Sequence, residues 1–209
     1  MSMPKEETVT CPYCGKTVEC TSWHSINTEL DFAVPDIISG KLFETVCDGC
    51  GKILHLDYPL LFNDMNHQVM IDYVQQEKVR EAVRASDLMR SMGGRVRIVT
   101  EQTALREKVA IFDAGLDDRI VEILKLLAVS QIADQLKDKP VEYVYFVPDE
   151  EHPALELHAG GENFSLAVNM DGYGNLEERF REKLADTDMD LFIGPQWALN
   201  FLQNSKKDN

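Results

Sequence analysis

Positive charge is scarce in this 209-residue chain. Lys and Arg number 21 against 36 Asp and Glu, a net charge of −15. Affinity for DNA or RNA comes largely from cations that neutralise phosphates, so a nucleic-acid partner is disfavoured. Residues 1–77, the part most open to that reading, hold 4 Lys, no Arg and 12 Asp or Glu, a local balance of −8 (4 − 12). An unknown protein partner with a basic surface, or a small molecule, fits the charge better; self-association is expected only from the wide apolar arc of the helix within residues 115–137. Long apolar runs are also absent, and none reaches the ~20 residues of a membrane-spanning helix. The opening MSMPKEETVT is polar and acidic and does not read as a secretory signal. The expected location is the cytoplasm. Catalytic signatures are missing too. There is no Gly-x-Gly-x-x-Gly or Walker loop, no Gly-x-Ser-x-Gly elbow and no His-Glu-x-x-His helix.

Cysteine is sparse, with five residues, but four of them are patterned. CPYCGK begins at Cys11 and CDGCGK at Cys47. A Cys-x-x-Cys turn places two sulfurs on one side of an ion, and a second such turn closes the other side. Structural zinc takes four ligands in a tetrahedron, so Cys11, Cys14, Cys47 and Cys50 are the expected metal ligands. Gly15 and Gly51 follow each second cysteine, where a tight loop turns through a left-handed conformation that glycine tolerates. Lys16 and Lys52 stand alike after each loop and are expected to offset thiolate charge. Catalytic zinc keeps a position open for water or substrate. A site of four cysteines has none, so the Zn²⁺ reads as structural, supplying folding energy to a region with a thin core. A rubredoxin-type iron would use the same ligands and stays open. A redox dithiol fits less well, because that chemistry favours a helix N-terminus and both loops have strand-like flanks.

The fold class expected is α+β. A β-rich ribbon covers residues 1–77, a helical continuation 78–139, and an antiparallel sheet with helices 140–209. In the first segment TVECTSWHSIN reads as a strand with Val18, Cys20, Ser22, His24 and Ile26 on one face. VPDIISG reads as a helical turn stopped by Gly40, KLFETVC as a strand into the second loop, and ILHLDYPLLF and HQVMIDYV as strands around a turn at FNDMN. Val79, Ala82, Val83, Ser86 and Met89 share a helix face, with Gly93-Gly94 as its stop. RVRIVT is a strand, and residues 101–108 a helix. GLDDRIVEILKLLAVSQIADQLK forms the longest helix, apolar over so wide an arc that it is buried on several sides or meets another subunit. VEYVYFV, ALELHA and FSLAVNM form a meander. Asn175 and Glu178 suggest a capping-box start for LEERFREKL. DLFIG suggests a fourth strand, PQWALNFLQ a last helix with Pro at its start, and SKKDN a frayed end.

CPYC, VPDIISGKLFETVCDGCGK, YPLLFND and RVRIVTEQTALREKVAIFDAGLDDRIVEILK, in this order, resemble the bacterial CpXC family over about Cys11 to Lys125. The resemblance implies a metal-binding, zinc-type ribbon with a helical continuation, and no particular activity. One departure is Asp48, which stands in the second loop where the first has Pro12.

The remaining candidates each have a plainer reading. Cys20 reads as a half-buried apolar residue rather than a reserve ligand or redox sensor. His24 and His55 are weak substitutes for a cysteine ligand. His152 and His158, with Glu150 and Glu151, would make a second metal site but read as an exposed turn. Asp117 and Asp118 read as a helix cap rather than an acid–base pair. No catalytic or cofactor-binding residue is assigned. The function expected is a protein-interaction or scaffold role built on a structural zinc site; the alternative is an enzyme of unknown reaction with its site in the C-terminal α+β region.

Overall fold

The computed structural model describes residues 2–91, 94–136, 139–149 and 153–207. The backbone divides into two units, Met1–Val109 and Ala110–Asn209. Among the described residues there are ten strands in three sheets and seven α-helices, which is the α+β class expected. None of these helices is long and apolar enough to cross a membrane.

The first unit begins with β1 (Met3–Thr10), which pairs antiparallel with β2 (Thr17–Asn27) from Thr10↔Thr17 back to Met3↔Ser25. The sequence reading places no strand before Cys11, and β1 corrects it. Its residues are almost all exposed, so no apolar alternation marks the strand. Pairing with β2 creates it. Val18, Cys20, Ser22 and Ile26 are buried along β2 as expected, but His24 is exposed. Helix α1 (Ala33–Ser39) ends where Gly40 turns left-handed, with φ 86°. A 3-10 turn at Lys41–Phe43 then leads into β3 (Glu44–Val46).

ILHLDYPLLF is two strands rather than one. β4 (Ile53–His55) pairs with β3, while β5 (Leu60–Asp64) joins β2. Pro59 has no N–H to give a ladder, and Tyr58 anchors the bend: its hydroxyl donates to the Leu42 carbonyl at 2.7 Å and its ring packs 4.9 Å from Phe43. The expected FNDMN turn lies later in the chain. Phe62, Asn63 and Asp64 belong to β5, and the turn spans 65–68. The Asp64 carboxylate closes it by accepting from the amides of Asn66 and His67 at 3.0 and 3.1 Å. β6 (Val69–Tyr73) returns antiparallel to β5, and β7 (Arg95–Val99) lies parallel to β6. The five-stranded sheet therefore runs β1-β2-β5-β6-β7.

Helix α2 (Val79–Ser91) buries Ala82 and Ser86 but leaves Val83 exposed. Of its proposed stop, Gly93 lies outside the described residues. Gly94 has a different duty: φ is 108°, and a Cβ there would come within 2.2 Å of the Gln68 carbonyl oxygen. Helix α3 (Gln102–Asp113) runs past the expected end at 108, because Val109, Ala110, Ile111 and Phe112 are all buried.

In the second unit α4 (Asp118–Gln131) is followed by the short α5 (Ala133–Leu136), with a break at Ile132. The end of the expected single helix, Lys137, lies outside the described residues. The first half of α4 is buried all round, its charged residues included, and Lys125 pairs with Glu122 at 2.7 Å. The wide apolar arc is thus absorbed within the chain over its first two turns. At its start Asp117 caps the Arg119 amide at 2.9 Å. The Arg119 guanidinium also reaches Asp117 at 2.7 Å, the Leu184 carbonyl at 2.7 Å and Asp188 at 2.7 Å. Burial opposes ionisation of Asp117, yet Arg119 outweighs it and holds the carboxyl below its usual range. That is a structural use of this carboxylate.

Strands β8 (Val141–Val147), β9 (Ala154–Ala159) and β10 (Glu162–Ala167) form the expected meander. Leu157 and Ala159 pack with Ile132 and Leu136 in one core. Helix α6 (Met170–Ala185) starts well before Asn175, which corrects the capping-box expectation. Asn169 is the cap, accepting from the Gly172 amide at 3.1 Å. Two early glycines disguise this start, yet the buried Tyr173 between them takes the Asp117 amide on its hydroxyl at 2.8 Å. DLFIG is a loop rather than a strand. Only Ile193 is buried there, and Asp190 accepts from the Trp197 indole at 2.7 Å. Helix α7 (Pro195–Lys207) starts at proline as expected and continues through Lys207, where fraying was expected; Asp208 and Asn209 lie outside the described residues.

Two outcomes test this packing. Asn169→Ala should cost about 1 kcal/mol in urea unfolding, the usual loss for a cap, whereas Asn175→Ala, inside the helix, should cost nothing. Burial lifts the Asp72 carboxyl to about 6, above its unfolded value of about 3.9. A raised folded pKa gives stability that is full below pH ~4 and lost as the pH rises through 6. Asp72→Asn should therefore stabilise the protein at pH 7 by about 1–2 kcal/mol, after allowing for partial solvent screening, and flatten its pH profile between 4 and 6.

Candidate metal centre

Each Cys-x-x-Cys stretch occupies the tip of an antiparallel hairpin. The first joins β1 to β2 and the second joins β3 to β4. The backbone closes both tips identically. Cys11 N–H donates to the Lys16 carbonyl at 2.8 Å and Gly15 N–H to the Cys11 carbonyl at 2.9 Å; Cys47 N–H donates to Lys52 at 2.9 Å and Gly51 N–H to Cys47 at 2.7 Å. Gly15 and Gly51 have φ of 74° and 71°. A side chain would find open space at either, so backbone strain is the reason for glycine there. In each tip the first cysteine is buried and the second exposed.

The two tips face each other. Cys11 Sγ lies 3.7 Å from Cys50 Sγ, and Cys14 Sγ lies 3.6 Å from Cys47 Sγ. All four sulfurs fall within 4.8 Å of one another, and the group could hold a metal ion. A tetrahedron with Zn–S bonds of about 2.3 Å has edges of about 3.8 Å, so the donor set and its spacing fit such an ion. None of the four is in a disulfide. Beneath them Cys11 and Cys47 pack with Val18 and Leu54, and Val9 leans on the same cluster. Val18 follows Cys11, and Leu54 follows Cys47, by the same seven positions.

The thiols do not ionise alike. Burial opposes ionisation of Cys11, but amide hydrogen bonds from Tyr13 and Cys14 and the thiols of Cys47 and Cys14 outweigh it, and its pKa falls to about 7. At Cys14 the Lys16 amide favours the thiolate, yet Cys47, burial and the other sulfurs push the pKa up to about 12. Cys50 is raised as well; the Lys52 amide opposes the rise, and burial and its neighbours Cys47 and Cys11 win. One negative charge in the cluster disfavours the next.

Residues 9–125, more than half of the chain, match the family described as CpXC protein. The chain belongs to the CpXC family. No curated protein and no solved structure matches it. The CpXC match spans both hairpin tips, four of the five strands of the large sheet in full, and the first half of α4.

Within this CpXC site the two lysines reach across to the opposite tip. Lys16 pairs with Asp48 at 2.8 Å, and Lys52 lies 4.5 Å from the centre of the Tyr13 ring. The departure at Asp48 thus gives the second tip a partner for Lys16. Pattern reading paired each lysine with thiolate charge and missed these cross-tip contacts; the unequal Tyr13 and Asp48 in otherwise matched motifs were the available signal. Cys20 is buried in β2, outside the sulfur group, and burial raises its thiol. His24 and His55 are also outside the group; His55 is exposed and 3.4 Å from Glu44. His158 bonds Glu142 at 2.6 Å and stacks on Tyr143, while His152, Glu150 and Glu151 lie outside the described residues.

Replacing Gly51 by Ala should lower the stability of the protein as purified by about 1–2 kcal/mol, the cost of a left-handed non-glycine residue, with Gly51→Asn milder. Equal melting of both variants and the parent would remove the backbone argument for these glycines.

Proposed function

We propose that the CpXC module binds one structural zinc ion through Cys11, Cys14, Cys47 and Cys50, and that the ion shapes a surface for a protein partner. The convergence of four sulfurs from two matching hairpin tips carries this reading. Zinc is preferred because its tetrahedral thiolate geometry suits the observed spacing; iron would use the same four sulfurs. With every position held by cysteine, the ion has no place for water or substrate, so its contribution is to folding rather than to reaction. Thiolate ligands are kept available under reducing conditions, and we place the protein in the cytoplasm for that reason.

The interaction half of the proposal is supported by apolar side chains beside the tips. Tyr13 is 61% exposed, Val46 59% and Ile53 50%. Val46 and Ile53 are cross-strand partners at the base of the second tip, and Tyr13 and Ile53 line one cleft of about 410 Å³. Such residues next to a metal-fixed loop suit a binding surface. The chain's negative charge favours a partner with a basic rim.

Protein purified without added metal should carry about one zinc per chain by elemental analysis. Cys47→Ser should lose most of it, and Cys20→Ser should keep it. The four tip thiols reacting freely in the native protein, with no metal present, would overturn the metal assignment; iron in place of zinc would change the ion but keep the ligands. Tyr13→Asp with Ile53→Asp should abolish partner capture or self-association while leaving metal content unchanged.

A further inference from the structure

The cleft beside the metal tips, about 410 Å³ in volume, is lined by every residue of the segment 53–58. Successive residues of an extended strand point to opposite faces. A cleft that touches each of them in turn therefore follows the edge of β4 and not one of its faces. β1 contributes Glu7, Val9 and Thr10 to the same lining.

That edge carries backbone groups with no strand to meet them. Cys47 N–H donates to the Lys52 carbonyl at 2.9 Å, and Leu56 N–H donates to the Phe43 carbonyl at 2.8 Å. Hydrogen-bonded pairs alternate along an antiparallel ladder, so Leu54, opposite Thr45, also spends its backbone groups on β3. Ile53 and His55 turn theirs the other way, where no described strand lies, and both residues are exposed. An open edge of this kind is a template for a further strand. The fixed charge of the cleft has one sign: Glu7 and Asp57 are its acids, and none of the described lining residues is Lys or Arg. Asp57 accepts from the Tyr73 hydroxyl and from Gln102 Nε2 at 3.3 Å. Both donors are neutral, so they orient this carboxylate without cancelling its charge. Glu7 pairs with the exposed Lys5, which is outside the lining.

We propose that an extended basic segment of a partner protein adds to the open edge of β4, exchanging backbone hydrogen bonds with Ile53 and His55 and placing a Lys or Arg side chain at Glu7 and Asp57. In strand addition the main-chain bonds supply affinity and the alternate side chains supply specificity. A second copy of this chain would bring its own Glu7 and Asp57 to the seam, so charge disfavours self-pairing there. Strand addition rests on the protein-binding role proposed above and specifies how the partner is held.

Selection of random heptapeptides displayed on phage, against the full chain as purified, tests it. Recovered sequences should be enriched in Lys or Arg and in β-branched residues, and depleted in Pro, which has no N–H for a ladder. A recovered peptide, made synthetically, should slow hydrogen exchange at the Ile53 and His55 amides, while Leu54, already bonded to β3, stays unchanged. Methylating the peptide's own amides at alternate positions should weaken binding at least about tenfold in one phase and little in the other. Asp57→Asn, at an exposed position, should weaken binding about threefold with an unchanged melting temperature. Failure to recover a binder, recovery of acidic or uncharged sequences, or protection of neither Ile53 nor His55 would each overturn the proposal. So would His55 protection that rises with protein concentration alone, the sign of a second copy on this edge. If Tyr13→Asp with Ile53→Asp still abolishes partner capture in any of those cases, the binding role stands and only strand addition falls.

Discussion

Four thiols drawn within 4.8 Å of each other pose an electrostatic problem, because each one that ionises opposes the next. The buried sulfur of Cys11 is helped to ionise by amides of its own tip, while Cys47, burial and the neighbouring sulfurs raise Cys14, and burial, Cys47 and Cys11 raise Cys50. A divalent cation reverses the sign of the problem, because each further thiolate then gains attraction instead of repulsion. Such an ion would also tie the two hairpins together. Their shared core is Cys11, Val18, Cys47 and Leu54, so half of it is made of candidate ligands. That leaves little apolar surface at the tips, and metal ligation is the usual remedy for a core this thin.

The arrangement also explains why the tips match in backbone yet differ in side chains. The amide-to-carbonyl bonds and the left-handed glycines aim sulfurs, and they recur in both tips. The middle positions do not aim sulfurs and are free to diverge. Pro12 and Tyr13 in one tip face Asp48 and Gly49 in the other, so Lys16 finds a carboxylate and Lys52 an aromatic ring. Gly49 has its own reason, since a Cβ there would come within 2.7 Å of the Lys16 side chain. Exposed pairs of this kind add little stability; Lys16 also stays close enough to Cys47 and Cys14 for their charge to add to that of Asp48 in favouring its protonated form.

Much of this centre was legible in the chain because cysteine spacing is a local code. Two residues of separation place two sulfurs on one turn whatever the rest of the fold does. The α+β order was legible for a similar reason, since the periodicity of α4 and of the β8–β10 meander survives in the residues themselves. What escaped depends on tertiary pairing. β1 has no apolar alternation because its edge position leaves it exposed. Pro59 divides one apolar run between two sheets, an outcome fixed by which neighbours β4 and β5 find. Helix α6 starts at Met170 despite Gly172 and Gly174, each costing ~1 kcal/mol against alanine, because Asn169 caps the helix and Tyr173 is buried and bonded to the Asp117 amide.

Acidity then bears on what the metal tip can do. A basic tip beside a zinc site would suit phosphate, but this one presents Tyr13, Val46 and Ile53 to solvent, with Lys16 already paired to Asp48. Apolar and aromatic groups on a chain of net charge −15 cannot draw affinity from counterion release. They can draw it from burial against a complementary protein surface, provided the loops that carry them are rigid before contact, since preorganisation removes part of the cost of association. A metal held by the four sulfurs would rigidify those loops directly, and Tyr13 sits between Cys11 and Cys14 in sequence. The same ligation that would replace a missing core would therefore also set the geometry of the exposed face, and losing the ion would loosen both together.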